Sequence, residues 1–215
     1  MDYKLDMSMM FAMHDALRRE LVQVRRIASR RDGHPGTRLR AALGWELFKK
    51  FLVAHHQSED DALWPPLHAR VAAQSDRAGL VDALEAEHAV IEPLLTAIDA
   101  AAADPDYGYQ RFGDIVDELA TRLNAHLAHE ETDGLPLIDV SLTPQEWQHF
   151  AQVQTERLRD DAAMYMPWLL NDARPQVLGA ILAKFPPPLL AAYREQWGPR
   201  YATLNIWNAA GDLTS

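Results

Sequence analysis

The chain has 215 residues, is 48% hydrophobic and carries a formal net charge of −10, enough for one full core and a small second module. That acidic balance argues against nucleic acid or an anionic membrane as partner, since both call for clustered Lys and Arg. Cysteine is absent, which excludes disulfides, thiolate metal sites and thiol catalysis. There is no run of roughly 18 apolar residues and no basic segment followed by an apolar one at the start, so the cytoplasm is the expected compartment.

Helical periodicity dominates and no segment alternates like a strand. The first helix is predicted from near Ser8, with Leu17, Leu21, Val24 and Ile27 on its buried side and His14 on the same stripe. Its arginines, Arg18-Arg19, Arg25-Arg26 and Arg30-Arg31, are spaced like a solvated face. Asp32-Gly33-His34-Pro35-Gly36 ends it. A second helix is expected over Thr37 to Leu63, stopped by Trp64-Pro65-Pro66, with a short helical piece over Leu67 to Ala73. A third runs over Asp76 to Ala102 with a kink at Pro93, and a fourth over Tyr109 to Glu131, closing before Gly134 and Pro136. Short connections and apolar stripes predict an all-α, up-down-up-down four-helix bundle.

Beyond Ser141 the pattern changes. Thr143-Pro144-Gln145-Glu146 has Thr as N-cap, Pro at the first helical position and Glu at the third. Helical segments are expected at 144–165, 174–184 and 187–197, separated by Pro167, Pro175 and Pro186-Pro187-Pro188, with Trp147, Trp168, Trp197 and Trp207 as large apolar surfaces. The expected organisation is a bundle over 8–137 and a helical extension over 141–208 packed on it, with a loose end at 209–215.

One ligand pattern occurs twice. His55-His56-Gln57-Ser58-Glu59 is followed by Pro65, and His126-Leu127-Ala128-His129-Glu130 by Pro136; in both, Glu lies four residues after His and Pro six after that Glu. A lone His precedes each copy, at 55 − 14 = 41 and 126 − 88 = 38 residues. His and Glu at i and i+4 share a helix face. With helix direction alternating, His14, His55, His88 and His126 all fall towards one end of the bundle. Buried imidazoles and carboxylates at this density are too costly in a core without metal or full pairing. Imidazole with carboxylate in a helix bundle suits iron, with manganese or zinc as lesser candidates, and Glu from two different helices favours two ions close together. The repeat alignment selects His55 and His126 over His56 and His129, which are expected beside the site or at the surface. His34, His68 and His149 are read as structural or surface residues.

The order His, His-x-x-x-Glu, His, His-x-x-x-Glu resembles the hemerythrin-like, or HHE, cation-binding domain over about residues 8–137. Glu59-Asp60 leading to Leu63-Trp64-Pro65, and Glu130-Glu131 leading to Leu135-Pro136, match as well. The resemblance implies a four-helix bundle around two non-haem irons bridged by an oxo or hydroxo group and two carboxylates. Glu59 and Glu130 would be the bridges, His14 and His55 would serve one iron, and His88 and His126 the other. Oxygen-carrying members use a fifth His one turn from the third-helix ligand, whereas here the neighbouring positions hold Leu84 and Glu92. The second iron would then need Glu92, a phenolate such as Tyr165, or solvent.

Three function classes stay open: a di-iron protein that binds or senses O2, NO, peroxide or iron; an oxidoreductase, for example a peroxide dismutase, at the same site; and an interaction bundle that has lost its metal. The expected partner is a small diatomic or peroxide ligand. The incomplete nitrogen set favours redox reactivity over reversible oxygen carriage. No phosphate loop, nucleophile elbow or dinucleotide fingerprint competes.

Overall fold

The computed structural model describes residues 3–207 except Asp32 and Pro105. The chain is all-α, and no strand occurs among the described residues. Four long helices, α1 (Ser8–Ala28), α3 (Leu43–Ala62), α5 (Ser75–Ala103) and α6 (Tyr109–His129), carry the core. Each buries a seam in steps of three and four. On α5 it is Val81, Leu84, His88, Ile91, Leu95, Ile98 and Ala102. On α6 it is Phe112, Val116, Leu119, Leu123 and His126. This spacing keeps one stripe facing its neighbours along the whole helix. The long helices touch in a closed ring: α1 meets α6, α6 meets α5, α5 meets α3, and α3 meets α1.

The expected second helix is divided. A short α2 (Pro35–Ala41) ends at Ala42, whose ψ of 117° leaves the helical region before α3 begins. The cause is tertiary. The Gly44 amide donates to the Ile206 carbonyl at 2.6 Å, and a Cβ at Gly44 would collide with the Trp207 ring. The C-terminal segment therefore takes the amide that would have continued the helix.

Proline stops the chain less than expected. After Leu63 (φ −105°, ψ −53°) helix resumes at once as α4 (Trp64–Val71), with Pro65 and Pro66 in its first turn, where a missing N–H leaves no bond unmade. Pro93 lies inside α5 on the exposed side, so the carbonyl it leaves free faces water. The fourth helix does not close before Gly134. It widens into a π turn (Glu130–Gly134), closed by the Leu135 amide on the Glu130 carbonyl, and runs on as α7 (Leu135–Ser141). The wider turn accommodates Pro136 without breaking the rod.

Beyond it, α8 (Pro144–Arg157) starts with the expected capping box: the Glu146 amide donates to Thr143 Oγ1 at 3.2 Å, and the Thr143 amide to Glu146 Oε2 at 2.8 Å. A 3-10 turn (Arg159–Asp161) leads to α9 (Ala162–Leu170), which keeps Pro167 inside it. Then come α10 (Pro175–Leu182), α11 (Pro187–Ala192), a second π turn (Tyr193–Trp197) and α12 (Gly198–Ala202). Helix α8 lies on α3, while α9 and α10 lie on α1. Tyr165, Trp168, Leu169, Ile181, Tyr201 and Ile206 join the same apolar cluster as Leu17, Phe51 and Leu123. Burying each aromatic ring contributes on the order of 2–3 kcal/mol. The expectation for 209–215 lies outside the described residues. No helix among the described residues is long and apolar enough to cross a membrane.

The apolar interior comes in two pieces. One runs through Leu17, Phe48, Leu52, Ile91 and Leu123, and the other through Met10, Leu63, Trp64, Leu84 and Leu135. Between them lies a polar layer: His14, His55, His56, Glu59, His88, His126 and Glu130, each no more than 3% exposed.

Candidate metal centre

The seams that build the core also build the site. His14 sits between Met10 and Leu17 on α1, and His88 between Leu84 and Ile91 on α5. On α3, His55 and Glu59 follow Leu52 at three- and four-residue steps, and on α6 His126 and Glu130 follow Leu123 in the same way. All six positions singled out in the duplicated motif thus meet in one layer.

They meet as two groups. His14, His55 and Glu130 offer ligand atoms within 4.8 Å of one another, and so do His56, His88 and His126. Metal–nitrogen bonds of about 2.1 Å let one ion span roughly 4.2 Å, so small side-chain adjustments suffice. Glu59 reaches both groups: Oε1 lies 3.3 Å from His55 Nε2, and Oε2 lies 3.4 Å from His88 Nε2. Glu130 Oε2 lies 3.2 Å from His14 Nε2. A carboxylate with one oxygen towards each group is placed to bridge two cations.

His56 corrects the reading from the repeat. It is fully buried, and its ring stacks on His88 with centroids 3.9 Å apart and planes 4° apart. It also meets His126 edge-on at 5.2 Å. Neighbouring residues on a helix point about 100° apart, so one ring cannot serve the ion its neighbour serves. The two ligand groups lie side by side, and His55 belongs to one and His56 to the other. Aligning the two copies on identical partners excludes that use of His56. The available signal was Asp60, four residues after His56 as Glu59 is after His55. His129, by contrast, is 29% exposed and lies beside the site.

The two proposed substitutes for a fifth His lie elsewhere. Glu92 is half-buried and lines an outer groove with Lys49, Val53 and Thr96. The Tyr165 hydroxyl accepts from Gln154 Nε2 at 3.4 Å and donates to Met13 Sδ at 3.8 Å, and its ring packs edge-on against Phe51. Burial pushes the Tyr165 phenol up, so it stays protonated and is a poor anionic ligand. Neither residue belongs to either ligand group.

Eleven of the fifteen buried side-chain N and O atoms without a hydrogen bond among the described residues belong to the seven residues of this layer. They include both ring nitrogens of His55 and His56, both oxygens of Glu59 and Glu130, and Nε2 of His14, His88 and His126. The approaches of 3.2–3.4 Å above are ion-pair distances without hydrogen-bond alignment. Such unmade bonds normally cost about 1–3 kcal/mol each, and a cation pair satisfies them together. The donor set of five imidazoles and two carboxylates fits borderline first-row ions such as iron.

Electrostatics point the same way. Burial holds His55 and His56 well below 6.5, leaving neutral rings with free lone pairs. Burial, and then the charge of Glu130, push Glu59 well above its ordinary value. Burial also works against ionised Glu130, but His14 outweighs it and holds Glu130 at about 2. Burial lowers His14, but Glu130 and Glu131 raise it to about 9, so in the metal-free layer it is a cation beside Glu130. Behind the layer, three carboxylates, of which only Glu87 lies outside the matched sequence features, receive the outward nitrogens: Glu131 takes His14 Nδ1 at 2.9 Å, Asp60 takes His88 Nδ1 at 2.8 Å, and Glu87 takes His126 Nδ1 at 2.8 Å. Each bond fixes the tautomer that turns Nε2 inward.

No curated protein and no solved structure matches the chain. The family model of the hemerythrin HHE cation-binding domain matches residues 6–138, a stretch that contains every residue of the polar layer and its three backing carboxylates. The chain therefore belongs to the hemerythrin HHE cation-binding family.

Proposed function

We propose that this is a non-haem di-iron protein that binds and senses a small ligand, O2 or NO, in an up-down-up-down four-helix bundle over residues 8–137, with the helices of 141–208 packed along it. The observation that carries this reading is the buried layer of five imidazoles and two carboxylates with its unmade hydrogen bonds. His56, His88 and His126 would hold one iron, His14 and His55 the other, and Glu59 and Glu130 would bridge them. Iron in such a site supplies reversible one-electron chemistry and a coordination position for a small ligand.

The protein's part is to hold and to shield. Three nitrogens serve the first position and two the second, so the second is the less saturated one and the natural place for a ligand. With His56 in the set, the nitrogen shortage that favoured peroxide turnover disappears, and reversible binding becomes the stronger reading. Helix α9 adds to it: Tyr165, Met166 and Trp168 close the α1 side of the core, keeping water from the His14 and His55 end.

The test is metal analysis with an absorption spectrum, followed by rapid mixing of the reduced, iron-loaded protein with O2. The expected result is two irons per chain, near-ultraviolet charge-transfer bands, and a spectral change that reverses when oxygen is removed. Irreversible oxidation with rapid peroxide consumption would move the protein to the oxidoreductase class. A stably folded chain that takes up no iron under any loading condition would overturn the metal reading.

A further inference from the structure

The three carboxylates behind the imidazoles are not alike. Glu131 accepts from His14 Nδ1 and is itself clamped by Arg18, whose Nη1 and Nη2 donate to its two oxygens at 2.7 and 3.0 Å. Asp60 and Glu87 meet no Lys or Arg among the described residues. The second oxygen of Glu87 takes His129 Nδ1 at 2.9 Å. Among the described residues, His55 and His56 have no carboxylate behind them.

A carboxylate that accepts from a ligand imidazole pushes electron density through the ring and makes it a stronger donor. A guanidinium gripping that carboxylate in a two-pronged, charge-assisted contact draws density back. The three-imidazole position thus receives two pushes, through His88 and His126, neither damped by a guanidinium. The two-imidazole position receives one, through His14, and Arg18 damps it. Asp15, 4.0 Å from Arg18 and 60% exposed, competes little for the guanidinium.

We propose that Arg18 is a positioning residue that, acting through Glu131 and His14, raises the reduction potential of the His14/His55/Glu130 position above that of the His56/His88/His126 position. One electron delivered by an external reductant to the oxidised centre then settles at the former, and the three-imidazole ion remains oxidised. The less saturated position is in this way also the one that switches oxidation state first. This inference rests on the two-ion reading above.

The test starts with an iron count on the loaded wild-type protein, followed by stepwise reduction in a spectroelectrochemical cell with Mössbauer spectra at the half-reduced point. The wild type should show two separated one-electron waves and one localised ferrous site. Arg18→Gln leaves Glu131 unneutralised and should move the first wave to lower potential, narrowing the gap, and Arg18→Lys should restore part of it. Glu131→Gln removes the push itself and should move the first wave the other way. Asp60→Asn should raise the second wave and leave the first in place.

Opposite shifts from two variants of one contact separate an electronic role from loosened packing, which would move both alike. Shifts of the same sign, no shift with two irons retained, or loss of iron from Arg18→Gln would each overturn the proposal. A wild-type count below two irons would instead sink the two-ion reading, and the count precedes the reduction.

Discussion

His56→Leu separates a ligand from a packing residue more sharply than any other change in the layer. The ring contributes two buried nitrogens without a hydrogen bond and packs against both His88 and His126. If it holds metal, replacing it leaves the three-imidazole position with two nitrogens. Removing an outer partner of a ligand already lowers metal affinity about 10–100-fold, and removing the ligand should exceed that, so content should fall towards one iron per chain. The metal-free protein should respond the opposite way. Leu is of similar volume and leaves no unmade bond, which relieves an unsatisfied polar group worth about 1–3 kcal/mol. At roughly 2–4 °C per kcal/mol for a chain of this size, Tm of the chelator-treated variant should rise by several degrees. Iron analysis and calorimetry on the same two preparations provide the measurement. A variant that keeps two irons, or whose metal-free form melts lower than wild type, would refute the assignment.

Glu59→Ala or Glu130→Ala should strip more metal than Asp60→Ala or Glu131→Ala, because Glu59 reaches both imidazole groups and Glu130 belongs to one of them, whereas Asp60 and Glu131 meet the outward ring nitrogens; the reverse order in iron counts would show that the outer carboxylates are the ligands. Stability of the metal-free chain in urea should peak near pH 6.5. Burial holds His55 and His56 well below 6.5, so below that pH the unfolded chain binds more protons and stability falls by about 1.4 kcal/mol per pH unit for each ring. On the other side, burial lowers His14 but Glu130 and Glu131 raise it to about 9, so its contribution is complete below 6.5 and is lost as pH climbs through 9; a flat profile would remove the electrostatic account. Gly44→Ala should unseat the end of the chain, since a Cβ there meets Trp207. The expected signs are earlier proteolysis after α12 and a loss of about 1–3 kcal/mol, and unchanged cleavage would deny the latch.

The helices and the six motif positions that meet in the polar layer were legible because each depends on local spacing. His14, His88 and His126 lie on the same three-and-four pattern as the leucines around them, and the pattern can be read without knowing the partner helix. What stayed hidden depends on contacts across the fold. The break at Ala42 follows from Ile206 and Trp207, more than 160 residues away in the chain. Pro65 and Pro136 read as stops because their missing amides were counted, but one falls in a first turn and the other after a widened one. His56 falls outside the repeat because its partner four residues on is Asp60 and not Glu, while two adjoining ligand groups draw on neighbouring residues of one helix. Glu87 carried no mark beyond standing one residue before His88.

The π turn at Glu130–Gly134 has a consequence for how the chain is built. An extra residue in one turn rotates everything after it by about 100° relative to an unbroken helix. Upstream, α6 keeps the phase that brings His126, and Glu130 just after it, into the polar layer. Downstream, α7 takes another phase, in which Leu135 and Ile138 face α4 and Asp139 Oδ1 accepts from the Lys4 and Leu5 amides at 2.7 and 2.8 Å. Gly134 allows the offset, since a Cβ there would lie 2.9 Å from Leu84 Cδ1 and 3.1 Å from Glu130 Cγ. The placing of His126 and Glu130 in the polar layer and the docking of the N-terminal segment are thereby set by one continuous rod with two independent orientations. Substitutions that tune one need not disturb the other.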